Sequence, residues 1–131
     1  MLTHLTITGL YTSILALFLI ALAFNIIKLR FKFQVGLGDG GEQPLIKAIR
    51  IHGNFIEYMP LALILLASYE LNGGNELYLH IIGIVLVTGR VLHAMGLSKT
   101  VGASLPRQIG MLSTFIVLFV LAVLNILKFM G

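Results

Sequence analysis

Apolar residues in this chain do not form the narrow stripes of soluble helices; they run in long blocks separated by short polar stretches. A membrane-crossing helix needs about 20 mostly apolar residues. Four blocks qualify: roughly 8–29, 44–71, 77–97 and 107–129. The first has no Asp, Glu, Lys or Arg between Met1 and Ile27. The second is interrupted by Lys47, Arg50, Glu57 and Glu70, and the third carries Arg90 as its one formal charge. The fourth is free of charge from Gln108 to Leu127. No strand-like alternation and no internal repeat occurs. The pattern predicts an all-α integral membrane protein, one four-helix domain over residues 1–131.

Three connections follow. Phe31–Gln43 holds Gly36, Gly38, Gly40 and Gly41 around Asp39, which predicts a tight irregular loop. Asn72-Gly73-Gly74-Asn75 is a short turn. Ser98–Pro106 joins the last two helices, and Pro106 suits a first helical turn, where no amide donor is needed. Ala21-Leu22-Ala23 resembles a signal-peptide cleavage motif. However, Lys28, Arg30 and Lys32 follow the apolar stretch and no basic residue precedes it, the reverse of a signal peptide. The first block is therefore expected to remain as a helix.

Composition sharpens this picture. Hydrophobic residues make up 58% and charged residues 11%, against about 25% charged in soluble domains. Mean hydropathy is +1.01. This argues against disorder and against an ordinary soluble enzyme. There is no cysteine, which excludes disulfides, thiolate metal sites and a cysteine nucleophile. Of the nine Lys and Arg residues, only Lys128 lies beyond the first and third connections and the helix ends beside them. Positive charge collects in cytoplasmic loops, so those connections are expected in the cytoplasm and both termini across the membrane. The net charge of +4 follows from topology, and no nucleic-acid partner is implied.

Candidate chemistry lies in the second block. Arg50, Asn54, Glu57 and Tyr58 share one helical face. A charge at depth costs at least about 2.5 kcal/mol, so such residues face a partner or a cavity. Arg50 and Glu57 stand about 10 Å apart along the axis, which predicts no easy direct pair. Pro60 predicts a kink beside Glu57 and Tyr58. Arg30, Arg50, Arg90 and Arg107 against Glu57 make one mouth of the bundle strongly positive. That balance suits a compact anion that also carries an ammonium group, with arginine forks on its carboxylates. His52 and His93 lack a ligand set, so no metal is expected. GLGDGG has neither the flanking elements nor the Lys-Ser/Thr of a phosphate loop.

On these residues the chain resembles the MAPEG family, the membrane-associated proteins of eicosanoid and glutathione metabolism that include the microsomal glutathione transferases. The resemblance rests on the four spans, the basic end of the first, an arginine opening the fourth, and Arg50-x-x-x-Asn54-x-x-Glu57-Tyr58-x-Pro60. The GDGG connection and Arg50-Ile51-His52-Gly53-Asn54 look most like the short bacterial branch. The resemblance implies a homotrimer in the bacterial inner membrane, with glutathione as co-substrate between subunits on the cytoplasmic side. It also implies roles. Arg30, Arg50, Asn54, Glu57 and Tyr58 match glutathione-holding positions. His52 falls where some relatives carry a glutathione-contacting Gln. Arg107 looks like the catalytic arginine that stabilises the thiolate, while Arg90 and Pro60 support the site. His93 is also expected to face glutathione. Leukotriene-forming members carry two tyrosines where this chain has His93 and Leu97, which argues against leukotriene synthesis. The expected activity is a glutathione transferase or peroxidase acting on hydrophobic electrophiles or lipid hydroperoxides from the bilayer. The alternatives are a non-catalytic lipid- or glutathione-binding scaffold and, with less support, a transporter using Glu57.

Overall fold

The computed structural model describes residues 4–100, 102 and 104–131. Four helices follow one another: α1 (Thr6–Phe33), α2 (Gln43–Leu71), α3 (Glu76–Lys99) and α4 (Leu105–Met130). All four are long and apolar enough to cross a membrane. Each begins or ends a few residues beyond its apolar block. The clearest case is α1, which continues through Lys28, Arg30 and Lys32, all good helix formers. It stops where Gln34 takes a left-handed conformation at φ 55°. The residues up to Phe33 assigned to the first connection are thus helical. Of the third connection, residues 101 and 103 lie outside the described set.

The loops follow their local chemistry. Gly38, Gly40 and Gly41 all have positive φ, and Asp39 Oδ1 accepts from the Gly41 amide at 2.8 Å. Asn75 caps α3 by accepting from the Tyr78 amide. Pro106 occupies the first turn of α4, as expected. Helix α2 is continuous through Pro60.

Helices α2 and α3 are central; α1 packs on both, α4 packs on both, and the α1 and α4 backbones do not approach closely among the described residues. The core is built from Leu15, Phe55, Met59, Leu66, Leu86 and Leu121 with their neighbours. Lipid supplies no hydrophobic drive between helices, so close backbone approach carries the packing. Gly83 lies against the Tyr11 ring, while Gly89, Gly96 and Gly110 bring α3 and α4 together. In α1 the buried residues are Thr8, Tyr11 and Leu15, all in its first half.

The end of the bundle away from the basic loops is tied by polar bonds. Leu5, the cap residue of α1, supplies no side-chain hydrogen bond. Instead the Glu70 carboxylate, from the end of α2, accepts from the Ile7 and Thr8 amides at 3.1 and 2.8 Å. Tyr11 and His80 are hydrogen-bonded at 2.8 Å. Asn125 donates to the Leu65 carbonyl, and Lys128 to that of Gly73. With this end held and no fully buried residue in the second half of α1, an opening of about 310 Å³ remains near the basic end. It lies among Asn25, Leu29, Pro44, Lys47, Ile51 and Ser98.

Candidate functional site

The polar face of α2 divides in two. Arg50 and Glu57 point outward, with side chains 54% and 52% exposed, and pair at 3.6 Å. This corrects the expectation that two helical turns separate them too far. A seven-residue step returns almost to the same helix azimuth, and the Cβ of Glu57 tilts toward the helix start, back to Arg50. The long arginine stem spans the remaining distance.

Asn54 points inward. Its Oδ1 accepts from Arg90 at 2.5 Å. Arg90 is 1% exposed and sits at the centre of a cluster. It donates to Thr114 Oγ1 at 3.4 Å and to His93 Nδ1 at 3.4 Å, with Met111 Sδ at 3.9 Å. The Phe55 ring lies 6.0 Å from the guanidinium carbon. No carboxylate joins this cluster among the described residues. Thr114 in turn donates to the Gly110 carbonyl, which ties Arg90 to the close α3–α4 contact. Tyr58, the last residue of the face, stacks edge-on against Phe115 of α4.

The remaining candidates are separate from this face within one chain. Arg30 donates to the Val35 and Gly38 carbonyls at 3.2 and 2.8 Å and so organises the glycine loop. His52 is half-buried and lies two residues from Arg50, a step that turns it away from Arg50. Arg107 donates to the Gly102 carbonyl at 3.3 Å, at the tight join of α3 and α4. Gly96 makes that join possible, because a Cβ there would lie 2.5 Å from the Arg107 amide nitrogen. Pro60 lines an apolar groove of about 290 Å³ between α1 and α2, with Leu15, Phe55, Ile56 and Met59. Glu57 and Tyr58 are outside it.

Sequence reasoning did not find the capping role of Glu70 or the placing role of Gly96. A first helix without a side-chain cap was the available signal for Glu70. The spacing Gly89–Gly96, two helical turns, was the signal for Gly96.

Four membrane-length helices around a buried arginine, with an acid–base pair on the outside of a span, define a polytopic membrane protein that carries a polar site at helix depth. The chain belongs to the MAPEG family, whose model matches residues 8–127. It is 38% identical over 120 residues to "Inner membrane protein YecN" of Escherichia coli, covering 92% of this chain and 90% of the relative. The protein of that name from a second Escherichia coli strain matches equally well.

Proposed function

We propose that the protein is a membrane-bound glutathione-dependent transferase or peroxidase, working as a homotrimer with its sites between subunits. One observation carries the reading: the Arg50–Glu57 pair is half exposed on a helix that crosses the membrane. Lipid is a poor neighbour for two ionised groups. A second copy of the chain, and a charged ligand held between the copies, would cover them. The arrangement of the other candidates supports this. Arg30 and His52 do not meet the Arg50–Glu57 face within one protomer, and the second half of α1 has no fully buried residue. A neighbouring copy can bring its own Arg30 and His52 to that face.

Glutathione fits the charges. It carries two carboxylates and one ammonium at neutral pH. Arginines take the carboxylates, and Glu57 takes the ammonium in place of Arg50. A free thiol has a pKa of about 8.5 and the thiolate is the nucleophile. Arg107 near the sulfur favours the thiolate; a shift of about two units corresponds to about 2.7 kcal/mol. The thiolate then attacks an electrophilic carbon of a molecule arriving from the bilayer and expels its leaving group, such as chloride. With a hydroperoxide it attacks the terminal oxygen, breaking the O–O bond to release an alcohol and a glutathione sulfenic acid that a second glutathione converts to the disulfide and water. The related inner membrane protein supports placement in the inner membrane. The charge pattern supports a site open to the cytoplasm.

The test is glutathione binding to the purified full-length protein in mild detergent, followed by thiolate absorbance and turnover of chlorodinitrobenzene or a lipid hydroperoxide. Binding without thiolate or turnover rejects the enzyme and leaves a glutathione-binding scaffold. No binding rejects both.

A further inference from the structure

Arg90 is the most deeply buried charge among the described residues and has no role in the mechanism above. Its surroundings constrain chemistry beyond their own contacts. A guanidinium has only donors. Any atom bonded to it must accept, so the oxygen of the Asn54 amide, not its nitrogen, faces Arg90. His93 Nδ1, 3.4 Å from Arg90, accepts from it in the tautomer that carries its proton on Nε2. Thr114 completes the set: its proton goes to the Gly110 carbonyl, and its lone pair faces Arg90.

The consequence for Asn54 reaches the site. With Oδ1 committed inward, Nδ2 remains. It has no acceptor among the described residues, and it is not among the fully enclosed polar atoms without partners. By spacing Asn54 shares the helix face of Arg50 and Glu57, and Nδ2 is the amide atom not turned toward Arg90. Left to itself, an amide can present either its oxygen or its nitrogen; Arg90 removes that choice.

We propose that Arg90 is a positioning residue that fixes Asn54 as a hydrogen-bond donor toward the ligand, so that this face selects an acceptor-rich anionic group. The proposal rests on the glutathione reading above. It also explains why a cation is buried here without a carboxylate. An Asp or Glu partner would hold Arg90 more strongly, but it would leave the site without its donor.

Two variants test this by different routes, measured on full-length protein in detergent. Asn54→Asp gives Arg90 a charged partner and replaces the outward donor with an acceptor. It is expected to unfold at the wild-type temperature or above, while glutathione affinity falls at least about tenfold, the equivalent of one charge-assisted hydrogen bond. Arg90→Met removes a side chain too buried to touch ligand. It is expected to raise KM for glutathione several-fold with little change in kcat, because Asn54 is released to turn. Arg90→Lys, which keeps a donor but not the planar fork, is expected to restore part of the affinity. Should Arg90→Met fail to fold, Asn54→Asp decides alone. Asn54→Asp binding glutathione as tightly as wild type, or Arg90→Met with unchanged KM, overturns the proposal and leaves the functional reading standing. Wild-type protein that binds no glutathione overturns both.

Discussion

Gly96→Ala is the substitution whose effect the geometry specifies most closely. The added Cβ would lie 2.5 Å from the Arg107 backbone nitrogen, 2.8 Å from Ser104 Oγ and 2.9 Å from Arg107 Cβ. Two of these neighbours are fixed parts of the α4 backbone and its first side-chain atom, not flexible tips. To restore the about 3.5 Å of ordinary contact, the start of α4 must retreat by roughly 1 Å. Overpacking of this kind costs about 1–3 kcal/mol, so the unfolding temperature should fall, yet the bundle has enough other contacts to persist. The chemical effect should be larger. A misplacement of about 1 Å can cost about 100-fold in rate, and the displaced residue is Arg107 itself. Gly96→Ala should therefore lower thiolate absorbance and kcat for chlorodinitrobenzene by about 10- to 100-fold. Glutathione affinity should change much less, because Arg50, Asn54 and Glu57 sit on α2. Gly9→Ala is the control: nothing lies within 4 Å of its Cβ, and Ala is the better helix former by about 0.8–1 kcal/mol. It should stabilise slightly and leave turnover unchanged. A Gly96→Ala protein with wild-type thiolate and kcat would refute the placement of Arg107 at the sulfur.

Other consequences follow from the same structure. Glu70→Gln weakens two bonds to the start of α1 and should cost about 1.5–3 kcal/mol, read as a lower unfolding temperature in detergent; an unchanged value would show that α1 is held by packing alone. Reporter fusions at Gly38 and Gly131 should report opposite sides of the membrane with Gly38 in the cytoplasm, since all Lys and Arg but Lys128 gather around the first and third connections. A cytoplasmic Gly131 would place the site in the wrong compartment. Native mass spectrometry should find three subunits, and a monomer that binds glutathione at full affinity would remove the interface site.

The four helices were legible because hydropathy over a span-length window is a strong signal and the bilayer sets its length. Their ends were less so, since interfacial Lys28, Arg30 and Lys32 neither stop a helix nor mark where one stops. The α2 face was readable as a set from spacing alone. Its division was not. Spacing places Arg50, Asn54, Glu57 and Tyr58 on one side of a helix, but which of them meets a neighbour depends on how the neighbours are turned. Arg90 of α3 captures Asn54, Phe115 of α4 meets Tyr58, and Arg50 and Glu57 are left to each other. Glu70 was visible as a charge near a span end, but its role depends on uncapped amides at the start of α1, 62 residues earlier at Thr8.

Glutathione titration of wild type, Glu57→Gln and Arg107→Ala, with affinity and thiolate absorbance read in the same sample, tests the functional proposal most directly. Glu57→Gln keeps the size of the side chain and removes the charge assigned to the ammonium. Its affinity should fall by about 10- to 150-fold, the equivalent of about 1.5–3 kcal/mol. Arg107→Ala should keep much of the affinity and lose the thiolate signal. Affinity unchanged in Glu57→Gln but abolished in Arg107→Ala would reverse the assigned roles, and a wild type that neither binds glutathione nor forms its thiolate would contradict the proposed function outright.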